Sequence, residues 1–160
     1  MRVRPRTDIG AWVTPGSMKV DEIMSDFATD VKSVIGPAVA ARGFALDEID
    51  DSPDEGGRRR CIVYYRSADC KIQVYESWRE GEVNAMIAPV SAPNDFGLNS
   101  NQWHFLDRFT ERASPPNAES LRLAISEYRS YPNPLEWVRD RIIKYYDDAH
   151  RGILAKYGKD

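Results

Sequence analysis

Two histidines and two cysteines are the side chains best suited to metal binding or nucleophilic chemistry in this 160-residue chain, and none stands in a motif that demands either. Cys61 and Cys70 are separated by eight residues, which fits neither a redox Cys-x-x-Cys nor a zinc knuckle. Both lie in runs that read as neighbouring strands. They would serve either as a bridge across a hairpin in an oxidising compartment or as two reduced thiols packed like small apolar groups. His104 stands between Trp103 and Phe105 and reads as a core-edge residue. His150 follows Asp147 and Asp148 and reads as part of a solvated helix face with a local charge pair. Gly152 to Lys159 looks like a phosphate loop only at a glance: five residues separate its glycines, and it closes a helix. Phosphate binding needs backbone donors at a helix start. Asp50, Ser52 and Asp54 alternate as calcium ligands do, yet Glu55 stands where such a loop needs glycine and Cys61 where it needs a bidentate glutamate. Gly-x-Ser-x-Gly and His-Glu-x-x-His are both absent. These motifs therefore identify no catalytic residue, no cofactor-binding residue and no metal ligand, although groups distant in sequence can assemble a site in the fold.

Charge placement says more. Asp47, Glu48, Asp50, Asp51, Asp54 and Glu55 put six carboxylates into nine residues. Such crowding is tolerated where the loop stays solvated, here with Arg58, Arg59 and Arg60 beside it, or where it meets a cationic partner and speeds association. Residues 20–100 carry 15 acids and 8 bases, a net −7, while 101–134 are balanced and 135–160 are +1. Trp78 and Arg79 end a strand next to a hairpin tip, and both are residue types that anchor protein interfaces. The candidate partner-binding residues are thus Asp47, Glu48, Asp50, Asp51, Asp54, Glu55, Trp78 and Arg79.

The elements that hold these residues follow from apolar spacing. Ile23, Phe27, Val31, Ile35 and Val39 recur every four residues and predict a helix, kinked at Gly36-Pro37 and closed by Gly43. Four strands follow, beginning with Phe44–Ile49, then Arg60–Arg66, Cys70–Ser77 and Glu82–Ala88. Gly81 supplies a left-handed position for the last hairpin. Ile72 and Val74 face one way and Lys71 and Gln73 the other, which predicts one buried face. Three helices complete the chain. The first is capped by Ser100 with Trp103, Leu106 and Phe109 in a stripe, and the second is capped by Asn117 with Leu121, Ala124, Ile125 and Tyr128. The third is opened by Asn133-Pro134, breakable at Gly152 and ended at Gly158. The expected fold class is α+β: an N-terminal helix, a four-stranded antiparallel meander, and three C-terminal helices packed on the sheet.

At 160 residues the chain fits one domain, and its 42% hydrophobic and 29% charged content is that of a globular protein. Residues 1–19 carry a net +3, broken by Pro5, Pro15 and Gly16, and read as a basic, flexible tail ahead of a single domain over 20–160. The tail lacks the apolar stretch of a secretory signal, which gives a cytoplasmic expectation. No apolar run approaches the ~20 residues of a membrane span, and a net charge of −3 argues against a general nucleic-acid binder.

The helix ending in Gly43-Phe44, the hairpin Ile62–Ser67 to Ile72–Tyr75, and Glu80–Val83 resemble small bacterial toxin-immunity proteins of uncharacterised families. The resemblance covers about a third of the chain and implies a non-catalytic inhibitor, without cofactors, that binds a toxin domain; the localised negative charge makes a basic toxin or effector the expected partner. A helix preceding an antiparallel sheet also resembles bacterial secretion chaperones, although those return to strands after a middle helix. A small enzyme with dispersed carboxylate, histidine and tyrosine groups between sheet and helices is the remaining alternative. Oligomeric state is not encoded in any of these features.

Overall fold

The four-residue apolar rhythm folds as a helical seam. In the computed structural model, which describes residues 26–79, 81–111 and 116–158, helix α1 covers 26–34 and a short helix α2 covers Gly36–Ala40. The interruption falls at Ile35, directly before Gly36-Pro37, and Pro37 sits in the first turn of α2, where its missing amide is harmless. Phe27, Val31, Ile35 and Val39 are all buried. Gly43 then takes φ +90°, and the Phe44 amide donates back to the Val39 carbonyl at 3.0 Å, closing the segment. The basic 1–19 stretch lies outside the described residues.

Five strands, not four, form one antiparallel meander: β1 (Ala45–Asp50), β2 (Arg60–Arg66), β3 (Cys70–Ser77), β4 (Glu82–Pro89) and β5 (His104–Phe105), paired in that order. Gly81, at φ +66°, lies in the β3–β4 connection. The fifth strand replaces the start of the expected helix at 100–109. Ser100 Oγ accepts from the Gln102 amide at 3.1 Å, a local turn that competes with helix capping. The chain then pairs Phe105 with Met86 and His104 with Ile87, and Leu106–Phe109 forms a 3₁₀ turn. Two α-helices follow instead of three. Helix α3 (Ala118–Ser130) has a reciprocal cap between Asn117 and Ser120, and in α4 (Pro134–Tyr157) Asn133 Oδ1 accepts from the Leu135 amide.

Both faces of the sheet are covered, which corrects the one-face expectation. Val63, Ile72, Val74 and Ile87 pack with the α1–α2 seam and with Val138, Ile142 and Ile153 of α4. On the other face Ile62, Tyr64, Tyr75 and Met86 pack with Ala92, Phe96 and Trp103 from the 90–103 connection. Lys71 and Gln73 lie under that connection, 6% and 0% exposed, not in solvent. Lys71 Nζ donates to the Ala92 carbonyl at 2.8 Å and to Asn94 Oδ1 at 2.9 Å. Gln73 binds the Asp95 carbonyl and the Gly97 amide, each at 2.9 Å. These bonds hold an irregular segment down where no ladder is available.

Helix α4 runs through Gly152 without a break. A Cβ there would come within 2.1 Å of Phe109 Cδ1, so the glycine is a notch that lets α4 close on the 3₁₀ turn. Helix α3 departs most from expectation: none of its residues is buried, and it meets α4 through an edge-to-face contact of Tyr128 with Trp137, centroids 4.8 Å apart. The cysteines are free, and β3 pairs Cys61 with Glu76, six residues along the strand from Cys70. At ~3.4 Å per residue that is about 20 Å, far beyond disulfide reach.

Candidate functional site

The eight sequence-selected residues separate into three groups. Asp47 and Glu48, on β1, both accept from Asn94 Nδ2, at 3.0 and 2.9 Å, and so help to hold the 90–103 connection. Asp54 shapes its own loop. Its Oδ1 accepts from the Gly56 and Arg58 amides and its Oδ2 pairs with Arg58 Nε at 3.2 Å, and the Arg58 bonds hold the carboxyl below its ordinary pKa against a smaller desolvation effect. Asp50 likewise accepts from the Ser52 amide at 3.0 Å. Asp54, Glu55 and Arg79 line one small cleft with Arg60, Ser77 and Phe96, and Arg60 lies over the Phe96 ring. Part of the acidic cluster therefore builds the fold. Asp51 is half-buried, and Glu55 is exposed.

Trp78 belongs to a different surface. It is 61% exposed, beneath the Arg59 guanidinium at 5.5 Å, at the end of the β3–β4 hairpin. It opens onto a groove whose floor is Gly81, Glu82, Val83 and Tyr128 and which continues past Ile125 to Trp137, in two open hollows of about 290 and 420 Å³. The outer wall is α3, which contributes Ala124, Ile125, Tyr128 and Arg129; Ile125 is 42% exposed, and Leu121, one turn before it on the same face, is 61% exposed. Glu76 and Glu82 line the groove on the sheet side, with Tyr75 Oη donating to Glu82 Oε2 at 2.5 Å. Large apolar side chains gathered this way on an exposed helix beside an aromatic are the usual mark of an interaction site. Leu121, Ile125 and Tyr128 were legible as a helical stripe. That the stripe would be left uncovered had no signal in the sequence.

A second concavity of about 660 Å³ is lined by Met86, Gly97, Ser100, Trp103, His104 and Asp107 among others. Two of its polar groups are paired with residues of α4. His104 Nε2 lies 2.8 Å from Tyr157 Oη, and Asp107 pairs with Arg141 at 3.0 Å. Burial, helped by Arg108 and Lys156, holds the His104 pKa below its ordinary value. His150 is not free on its helix face: its Nε2 meets Asp69 Oδ2 at 3.0 Å, and its ring stacks on Tyr146.

The fold and surface define an α+β protein with a five-stranded antiparallel meander and an uncovered amphipathic helix. Compared with protein-family profiles, curated protein sequences and solved structures, the chain matches none. Among the described residues, no helix is long and apolar enough to cross a membrane.

Proposed function

We propose that this protein is a non-catalytic binding module whose partner is a basic protein, in the manner of an inhibitor that blocks a toxin or effector. The observation that carries this reading is the exposed apolar face of α3, standing beside Trp78 across an open groove. The partner supplies apolar anchors for the groove and cationic groups for Glu76 and Glu82 on its sheet-side wall, while the carboxylates of the 47–55 loop steer its approach. Charge complementarity supports a basic partner, because residues 20–100 carry a net −7. The aromatic and arginine content at the hairpin end suits interface hot spots.

The test is affinity capture from the native host with the wild type and with the Ile125→Asp and Trp78→Ala variants, followed by binding kinetics on the captured protein. All these changes lie on exposed positions, so stability should stay within about 0.5 kcal/mol of wild type. The expected result is one stoichiometric basic partner, lost from both variants, with a wild-type on-rate that falls as salt rises. Glu55→Lys should slow association without changing the fold. Capture that survives both groove variants would remove the groove from the interface. Recovery of only unfolded segments of secreted proteins would favour a chaperone, and an acidic partner would overturn the charge argument.

A further inference from the structure

Asp69, Cys70 and His150 bring three different donor types to one place, although the histidine is 81 residues from the aspartate. A carboxylate oxygen, the thiol sulfur and a ring nitrogen all lie within 4.8 Å of one another. The aspartate lies in the short turn before β3, the cysteine is the first residue of β3, and the histidine comes from α4, next to buried Ala149. The turn is fixed from within. Ser67 Oγ accepts from the Asp69 and Cys70 amides at 3.3 and 3.0 Å and lies 3.2 Å from Asp69 Oδ1. That contact leaves Asp69 Oδ2 directed at His150 Nε2, and the Tyr146 ring, itself edge-on to Phe44, holds the imidazole plane.

We propose that Asp69, Cys70 and His150 form a binding site for a divalent transition-metal ion of the zinc class. Zinc accepts this mixture of carboxylate, thiolate and imidazole, with bonds of about 2.0–2.3 Å in a tetrahedron. Those bonds place neighbouring donor atoms about 3.4–3.6 Å apart. The Asp69–His150 pair must widen from 3.0 Å by a few tenths of an ångström, and the cysteine must close by at most about 1 Å, within reach of side-chain rotation. The fourth position falls to water. Ser67 against the far oxygen of Asp69 is the kind of outer hydrogen bond that orients a ligating carboxylate. Entry is from the side of the half-exposed histidine and aspartate, 30% and 44% exposed, while the cysteine is at the closed end. A nucleophilic role for Cys70 fits less well. The thiol is buried with a carboxylate beside it, and burial first, then Asp69, pushes its pKa to about 12. A nucleophile must be a thiolate in these surroundings unaided, whereas a bound divalent ion displaces the thiol proton itself.

The bound ion would join the β2–β3 turn to α4 and so tie a helix to the sheet at a point remote in sequence. The test is titration of the metal-free full chain with zinc chloride by calorimetry, and with cobalt(II) chloride by absorption spectroscopy. One ion per chain with a dissociation constant of micromolar or tighter is expected. A thiolate-to-cobalt charge-transfer band should appear, and the melting temperature should rise with zinc. His150→Ala and Asp69→Asn should each weaken zinc binding by at least about 100-fold, beyond the 10–100-fold range of lost outer contacts. Cys70→Ala should abolish the charge-transfer band. Cys61→Ala, at the other end of the hairpin, should change nothing and reports on folding independently of the site. No saturable binding at micromolar zinc would overturn the proposal. So would binding that His150→Ala leaves intact, or a charge-transfer band that follows Cys61.

Discussion

Gln73 on the covered second face and His104 on the side of α4 show what single side chains contribute. The Gln73 amide is fully buried with both ends bonded to the segment above it, so replacement by leucine keeps volume but orphans the Gly97 amide and the Asp95 carbonyl. Each orphaned group loses its partner in a dry setting, and the expected loss is about 2–4 kcal/mol in urea unfolding. A loss below about 1 kcal/mol would mean that the connection is held by Phe96 and Trp103 packing alone. His104 makes a pH prediction. Its pKa is lowered in the fold, so between the unfolded value of about 6.5 and the lower folded value the unfolded chain binds more protons. Stability is therefore fully present above about pH 6.5 and is lost as pH falls towards and through the folded value. The fall in melting temperature from about pH 7.5 to 5.5 should be smaller in His104→Gln than in the wild type. Equal falls in both proteins would assign the acid sensitivity to other groups.

At the scale of elements, the parts that were legible are those whose signals are local. Asn117 and Asn133-Pro134 mark helix starts because a cap bonds within three residues, and Gly43 and Gly81 mark turns because left-handed φ favours glycine. The expected helix at 100–109 failed because Trp103, Leu106 and Phe109 satisfy a helical stripe, yet they are equally placed by an edge strand and a 3₁₀ turn. Packing against Met86 and Tyr64 decides between these, and that contact is set by tertiary structure. The candidate groove and the Asp69–Cys70–His150 cluster were not legible for the same reason, since each joins segments far apart in the chain. Gly152 is a local signal misread: it marks a close approach, not a helix end. Gly152→Ala should gain ~1 kcal/mol of helix propensity but lose about 2–3 kcal/mol to the clash with Phe109, a net destabilisation. In a Phe109→Ala background the same change should become neutral or stabilising. Equal effects in both backgrounds would separate Gly152 from Phe109.

For the molecule as a whole, the distribution of burial sets which parts must unfold together. Strands β2, β3 and β4 are buried along most of their length between the helical layer and the 90–103 connection, so their amides report on global opening. Helix α3 has no buried residue and is fastened through Tyr128, so its thirteen residues can open while the sheet stays intact. Native-state hydrogen exchange should therefore find amides of Leu121–Glu127 exchanging by a local opening that is insensitive to low denaturant. Amides of Ile72–Val74 should follow the global unfolding free energy. Bound partner should raise protection selectively in α3 and at Trp78–Val83, because docking against the exposed apolar face opposes the local opening. Protection in α3 equal to that of the sheet in the free protein would join the helix to the cooperative core. A partner that protects the 47–55 loop while leaving α3 unchanged would place the interface on the acidic surface instead.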